Sequence, residues 1–162
     1  MAFSTDDTYI NKNQDLHDIS ETFFFAARFG DLKTIQKLPL SLIDLFQQDE
    51  NGNTALHMAS ANGHLNIVQF LLSQLPETND KHKYISIQNE RGNTPLHWAS
   101  VNGHLEIVSE LVKGGANLHI QNDAQKTPLS DAEFHGRKNV VMWFLTQTDM
   151  VPVDPTDSLD EL

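Results

Sequence analysis

A stretch of twenty residues occurs twice in this chain with small changes, and this repetition constrains the fold more than any other feature. The copies are NTALHMASANGHLNIVQFLL at 53–72 and NTPLHWASVNGHLEIVSELV at 93–112, forty positions apart. Self-similarity at a fixed spacing is typical of repeat architectures, in which each unit buries its apolar face against its neighbours. The sequence therefore predicts a stack of similar units.

The second copy predicts a helix–turn–helix unit. Thr94 is suited to cap a helix, and Pro95 to occupy its first position, where a missing N–H costs nothing. Gly103 supplies the positive φ that ends this helix and turns the chain back. Apolar residues then recur at helical spacing from Leu105 to Val112, which predicts a second helix.

The motif TPLH at 94–97, the Gly-His turn at 103–104 and the second helix that contains Ile-Val resemble the ankyrin repeat. The resemblance implies an all-α ankyrin-repeat solenoid of about four helix–turn–helix repeats. The first and last repeats are expected to be degenerate, because an end unit has only one neighbour to bury against. The first lacks the cap and the proline, and the fourth has Ser130 in place of the motif histidine.

The chain is predicted to have three parts. Residues 1–20 are polar and lack periodicity, so they are interpreted as an acidic, mostly disordered arm. Residues 21–148 are interpreted as the ankyrin-repeat domain, and residues 149–162 as an acidic C-terminal tail. An insertion at 76–86 explains the forty-residue spacing. It is expected to be a tolerated surface loop, or else a partner contact or a site that grips the acidic tail.

The net charge of −11 is concentrated at the two ends of the chain. Residues 1–21 contain five acidic residues and one basic residue, and residues 149–162 contain five acidic residues and no basic one, which leaves −2 for the rest. This distribution disfavours binding to nucleic acid, which needs clustered Lys and Arg, and favours a basic partner. The alternative is that the acidic ends only keep the solenoid soluble.

The sequence contains no motif that predicts catalysis or metal binding. The chain has no cysteine, and its longest apolar runs are far too short to span a membrane. His57 and His64, like His97 and His104, are seven residues apart because the repeat places them there, whereas metal pairs on a helix lie three or four apart. In ankyrin repeats the motif histidine makes structural hydrogen bonds. We therefore predict no enzyme activity, no cofactor and no metal.

The resemblance also implies a binding surface on the concave face, lined by the outer side of each first helix and by the turn, or finger, that precedes it. An aromatic and Met stripe flanked by acidic and amide groups suits a basic partner segment with apolar anchors. The alternative is that Met58 and Trp98 only pack between repeats. The candidate partner-binding residues are Phe25, Met58, Trp98 and Asp131 in one column, Asn62, Val101 and Asn102 at the helix ends, and Asn53, Glu90, Arg91 and Asn93 at the fingers. Asp154, Asp157, Asp160 and Glu161 of the tail are candidate acidic contacts.

A narrower resemblance concerns the function. The segments TALHMASANGH, GNTPLHWASVNGH and DAEFHGRKNVV, with the long insertion and an acidic Val-Pro tail, are similar to a small fungal ankyrin family of dedicated chaperones. The resemblance implies a cytoplasmic and nuclear protein that shields a basic small-subunit ribosomal protein, the KH-domain protein near the mRNA entry, before ribosome assembly. A monomer is the simplest expectation, and the acidic charge and short apolar runs predict no direct nucleic-acid or membrane partner. The alternative is a generic ankyrin adaptor or regulator that occludes a signalling or transcription partner.

Overall fold

The computed structural model describes residues 7–76 and 81–148, and within these ranges the chain is helical, without strands. This confirms the predicted all-α solenoid. Within the same ranges, no helix combines the length and the hydropathy needed to span a bilayer. The helices are α1 Asp7–Phe29, α2 Leu32–Lys37, α3 Leu42–Leu45, α4 Ala55–Asn62, α5 Leu65–Ser73, α6 Lys81–Ile85, α7 Pro95–Asn102, α8 Leu105–Lys113, α9 Pro128–Phe134 and α10 Lys138–Thr148.

Four helix pairs stack in chain order. The pairs are α1 with α2, α4 with α5, α7 with α8, and α9 with α10. In the row of first helices, α4 packs between α1 and α7, and α7 packs in turn against α9. In the second row, α5 packs against α8 and α8 against α10. The predicted repeats therefore correspond to structural units that bury one another's faces.

Local capping explains where the two central first helices begin. The Thr54 hydroxyl accepts the His57 N–H at 3.4 Å, and His57 Nδ1 accepts the Thr54 N–H at 3.0 Å. Thr94 and His97 repeat this reciprocal arrangement. Such capping boxes satisfy backbone groups that a helix start otherwise leaves open. The fourth repeat has Ser130 at the histidine position and keeps only the hydroxyl of Thr127 as a cap.

One apolar core runs along the stack. The second helices α5 and α8 bury their predicted apolar stripes, and the small Ala59 and Ala99 let the first helices approach closely. The largest side chains with no more than 2% exposure include Phe23, Ile35, Leu56, Ile67, Leu71, Ile85, Leu96, Ile107 and Leu111.

Residues 7–20, which were predicted to belong to a disordered arm, form the first part of helix α1. Neither Gly nor Pro occurs between residues 7 and 29, so nothing stops the helix from extending back from its anchored end. That anchor is formed by Phe23 and Ala27, which are fully buried. The Thr22 hydroxyl also donates to the Asp18 carbonyl at 2.7 Å.

The insertion is also more ordered than predicted. Its second half forms α6, in which Ile85 is fully buried and the Tyr84 ring lies 5.2 Å from the Phe46 ring. The Ser86 hydroxyl accepts the Asn117 N–H at 3.1 Å. Residues 81–86 thus act as a packed connector and not as a loop, because they carry apolar side chains that reach the core. Residues 77–80 and the predicted tail at 149–162 lie outside the described residues.

Candidate protein-binding groove

The three fingers, residues 49–53, 89–93 and 122–126, are held by their first side chains. Asn89 Oδ1 accepts the N–H groups of Arg91 at 3.0 Å and Asn93 at 2.9 Å. Asp49 and Asn122 do the same in their own fingers. Asp and Asn favour such turns because their short side chains bond to the backbone two residues on. Each finger is therefore a rigid element.

The fingers are joined by a ladder of side-chain amides. Asn89 Nδ2 donates to Asn53 Oδ1, and Asn122 Nδ2 donates to Asn93 Oδ1, both at 2.8 Å. Backbone bonds run in parallel, such as the one from the Glu90 N–H to the Asn51 carbonyl at 3.1 Å. In the last finger Lys126 stands where the earlier fingers have an asparagine, so the ladder ends there.

The ends of the first helices are fixed by the following repeat. His64 Nε2 donates to the Arg28 carbonyl at 2.8 Å, and His104 Nε2 donates to the Ala61 carbonyl at 3.2 Å. In the fourth repeat Arg137 takes this position, and its Nε donates to the Val101 carbonyl at 2.6 Å. The turn histidines are therefore structural groups that set the spacing of the concave face.

The motif histidines have a similar structural role. His57 Nε2 donates to the Asn93 carbonyl at 2.9 Å, and His97 Nε2 donates to the Lys126 carbonyl at 3.0 Å. Their Nδ1 atoms accept backbone N–H groups, which fixes the neutral tautomer. Burial lowers the pKa of His57 to about 4, and burial also lowers the pKa of His97. Among the described residues, no group of three or more His, Asp or Glu side chains could hold a metal ion.

The lowered pKa of His57 predicts a loss of stability on mild acidification. In the unfolded chain a histidine binds its proton below about pH 6.5, whereas folded His57 does so only below about 4. The free energy of unfolding is therefore highest above pH 6.5, falls as the pH falls, and levels off below 4. For His57 alone, the loss between pH 7 and pH 5 is about 2 kcal/mol.

Urea unfolding at pH 7, 6 and 5 measures this effect. The variant His57→Gln, although less stable at pH 7, is expected to lose less stability than the wild type over the same range. His119→Gln, a change at an exposed side chain, is the matched control for the removal of a histidine. Equal pH slopes for the wild type and His57→Gln would contradict the assignment.

Two adjoining cavities form a groove on the concave face. The first, of about 490 Å³, lies among α4, α7 and the first two fingers, and the second, of about 630 Å³, lies between α1 and the first finger. Both are lined by Arg28, Asn51, Asn53 and Met58, so they are continuous. The first is also lined by His57, Ala61, Asn62, Asn89, Glu90, Arg91, Trp98 and Asn102, and the second by His17, Ser20, Glu21, Phe24, Phe25, Gln48, Asp49 and Glu50.

Most of the predicted binding residues lie in this groove. Met58 and Trp98 are half-buried, so they pack against the repeats and also line the first cavity. Phe25 is 65% exposed and lines the second. The other predicted residues that line the groove are Asn53, Asn62, Glu90, Arg91 and Asn102.

Asp131 differs from its prediction. It is only 5% exposed, its Oδ2 accepts from Asn122 Nδ2 at 3.1 Å, and its Oδ1 lies 3.8 Å from Lys126 Nζ. The finger amide and the ammonium draw this carboxylate inward, so it supports the last finger and does not line the groove. The side-chain oxygen of Asn93 likewise accepts the hydrogen bond from Asn122 in the amide ladder. Neither Asn93 nor Val101 is among the residues that line the groove. The acidic tail candidates, Asp154, Asp157, Asp160 and Glu161, lie outside the described residues.

Sequence reasoning missed one wall of the groove. His17, Ser20, Glu21 and Phe24 belong to helix α1 and line the second cavity. His17 and Ser20 were missed because residues 1–20 were interpreted as a disordered arm. The available signal was the absence of helix-breaking residues from 7 to 29.

The chemistry of the groove suits binding. Its lining includes the apolar or aromatic side chains of Phe24, Phe25, Met58, Ala61 and Trp98, and its charged side chains are four carboxylates and two guanidinium groups, with an acidic balance. The backbone that carries these groups is fixed by the finger ladder and the histidine bonds. Ser60 and Ser100, which lie near histidines in sequence, are fully buried and do not face the groove as nucleophiles.

The fold can be compared with known proteins. Residues 23–122 and 77–154 match the family model described as ankyrin repeats in three copies. The chain belongs to the ankyrin-repeat family. Ankyrin repeat-containing protein P16F5.05c of Schizosaccharomyces pombe is 42% identical over 129 residues, which are 77% of this chain and 83% of that protein. Ankyrin repeat-containing protein YAR1 of Saccharomyces cerevisiae is 35% identical over 143 residues, or 83% of this chain and 72% of that protein.

A solved ankyrin-repeat structure is also similar. It is the crystal structure of the yeast ribosomal protein Rps3 in complex with its chaperone Yar1. The likeness has a TM-score of 0.74 and 33% sequence identity, and it covers 85% of this chain and 97% of the other. The predicted resemblance to fungal ankyrin-repeat proteins that include a ribosomal-protein chaperone is confirmed.

Proposed function

We propose that this ankyrin-repeat protein is a dedicated chaperone that shields a basic small-subunit ribosomal protein of the Rps3 class before ribosome assembly. It acts in the cytoplasm and the nucleus, by binding and not by catalysis. The observation that carries the proposal is the continuous groove lined by aromatic side chains and carboxylates, in a chain similar to one whose solved structure is a complex with Rps3.

The groove provides two kinds of interaction for such a client. Phe25, Met58 and Trp98 offer apolar surface for a segment that is exposed before the client is assembled. Glu21 and Glu50 offer carboxylates to its lysines and arginines. The net charge of −11 adds long-range attraction and keeps the complex soluble.

The test is binding of the purified full chain to the Rps3-class ribosomal protein of the same organism. The expected result is a one-to-one complex in which the ribosomal protein stays soluble, with an affinity that falls as salt rises. An unrelated protein of equal basic charge is the matched control and is expected to bind far more weakly. If both basic proteins bind equally, or if neither binds, the chaperone proposal is wrong and a generic adaptor becomes the better interpretation.

A further inference from the structure

The groove carries charges of both signs, and they are unevenly distributed along its length. The carboxylates Glu21, Asp49 and Glu50 line the cavity beside α1. Arg91 and one carboxylate, Glu90, line the cavity between α4 and α7, and Arg28 lines both cavities. A segment lying in the groove therefore passes from a region with three carboxylates to a region with two guanidinium groups and one carboxylate.

Among the described residues, the guanidinium groups of Arg28 and Arg91 have no hydrogen-bond or ion-pair partner. Both residues are exposed, and their hydrogen bonds involve the backbone. The Arg28 carbonyl accepts from His64, and the Arg91 N–H donates to Asn89 Oδ1. Arg137 is different, because its side chain is bonded to the Val101 carbonyl. The fold thus anchors the main chain of Arg28 and Arg91 and leaves their side chains available to a ligand.

We propose that Arg28 and Arg91 form a binding site for an acidic side chain of the partner protein, beside the apolar surface of Trp98. The inference rests on the proposed function and deepens it, because it specifies that the client segment in the groove carries both acidic and basic residues. Its acidic residue lies between the two arginines, and its lysines or arginines lie against the carboxylates near α1. Guanidinium groups suit this role because their planar fork matches a carboxylate in two parallel hydrogen bonds.

The fold also limits the spacing of these charges in the partner. Packed neighbouring helices lie about 8–10 Å apart, so Arg91 in the second finger is separated from the carboxylates beside α1 by one to two repeats, or roughly 10–20 Å. In a helical partner segment this corresponds to roughly 7–13 residues at 1.5 Å each. The site therefore fixes the register and direction of the bound segment in addition to its affinity.

The direction in which a charge reversal changes the affinity for the client tests the inference. Adding negative charge to a chaperone generally strengthens its attraction for a basic client. Arg91→Glu is nevertheless expected to weaken binding of the full-length Rps3-class protein by at least tenfold at moderate salt. Arg28→Glu is expected to act in the same direction. The matched control is Lys33→Glu at an exposed position of α2, which changes the net charge equally outside the groove and is expected to bind as tightly as the wild type or more tightly.

A charge exchange completes the test. Individual Asp and Glu residues of the ribosomal protein are changed to Arg, and one of these changes is expected to restore binding to Arg91→Glu while weakening binding to the wild type. If Arg91→Glu binds as tightly as Lys33→Glu, or if no exchange restores binding, the arginine site is wrong although the chaperone proposal stands. Absence of binding by the wild type would overturn both.

Discussion

Gly52→Ala is expected to lower the free energy of unfolding by about 3 kcal/mol, from backbone strain together with steric overlap. Gly52 has a φ of +74°, a conformation that L side chains rarely adopt. A Cβ atom at this position lies 2.8 Å from the Glu90 backbone nitrogen in the neighbouring finger. That nitrogen donates to the Asn51 carbonyl, so it cannot move without breaking the contact between the fingers.

Gly136→Ala is the matched control for this substitution. Gly136 has a similar φ of +66°, but an added Cβ meets no atom within 4 Å. Gly136→Ala is therefore expected to lower the free energy of unfolding by backbone strain alone, about 1 kcal/mol. Urea unfolding of both variants separates strain from overlap. Equal losses would show that the close approach of the two fingers is not a significant constraint.

Trp98→Ala is expected to weaken binding of the Rps3-class ribosomal protein by about 2 kcal/mol, or roughly thirtyfold. The Trp98 ring is half-buried on α7 and lines the first cavity together with Met58. Large aromatic groups at the centre of an interface contribute more than rim contacts, because water is excluded around them. Titration calorimetry of the folded variant measures the loss.

Trp143→Ala provides the matched control for the loss of a tryptophan. Trp143 is also half-buried but lies on α10, outside the groove. Its replacement is expected to lower thermal stability and leave the affinity unchanged. Affinity loss in Trp143→Ala equal to that in Trp98→Ala would indicate that both act through the stability of the stack. Unchanged affinity in a folded Trp98→Ala variant would remove Trp98 from the interface.

The repeat units could be predicted because their signals are local. Thr54, Thr94 and Thr127 cap the first helices, and glycine ends the central ones, so a few neighbouring residues define each boundary. The start of α1 and the existence of α6 were missed. Their polar or short sequences have weak periodicity, and they are stabilised because their own residues Phe23 and Ile85 are buried against the stack.

The position of the candidate groove could be predicted from the register of the repeats, but the orientation of each side chain could not. The column of first-helix positions gave Phe25, Met58 and Trp98, and all three line the groove. Asp131 of the same column and Asn93 of the second finger are instead bonded to Asn122, 9 and 29 residues away in sequence. The bond to Asn93 depends on how successive fingers meet, and the bond to Asp131 depends on how the last finger packs on its own helix, so neither can be inferred from a side chain's position in the repeat.

The end of the amide ladder at Lys126 limits how this scaffold can grow. A further unit added after the fourth would meet an ammonium group where Asn53 and Asn93 present an amide oxygen. A duplicated third unit, inserted before the fourth, would keep an asparagine on each side and could stack. In the described part of the chain, the last finger is therefore the one that offers no side-chain amide at this position to a following unit, and a fifth unit would have to be held there by other contacts.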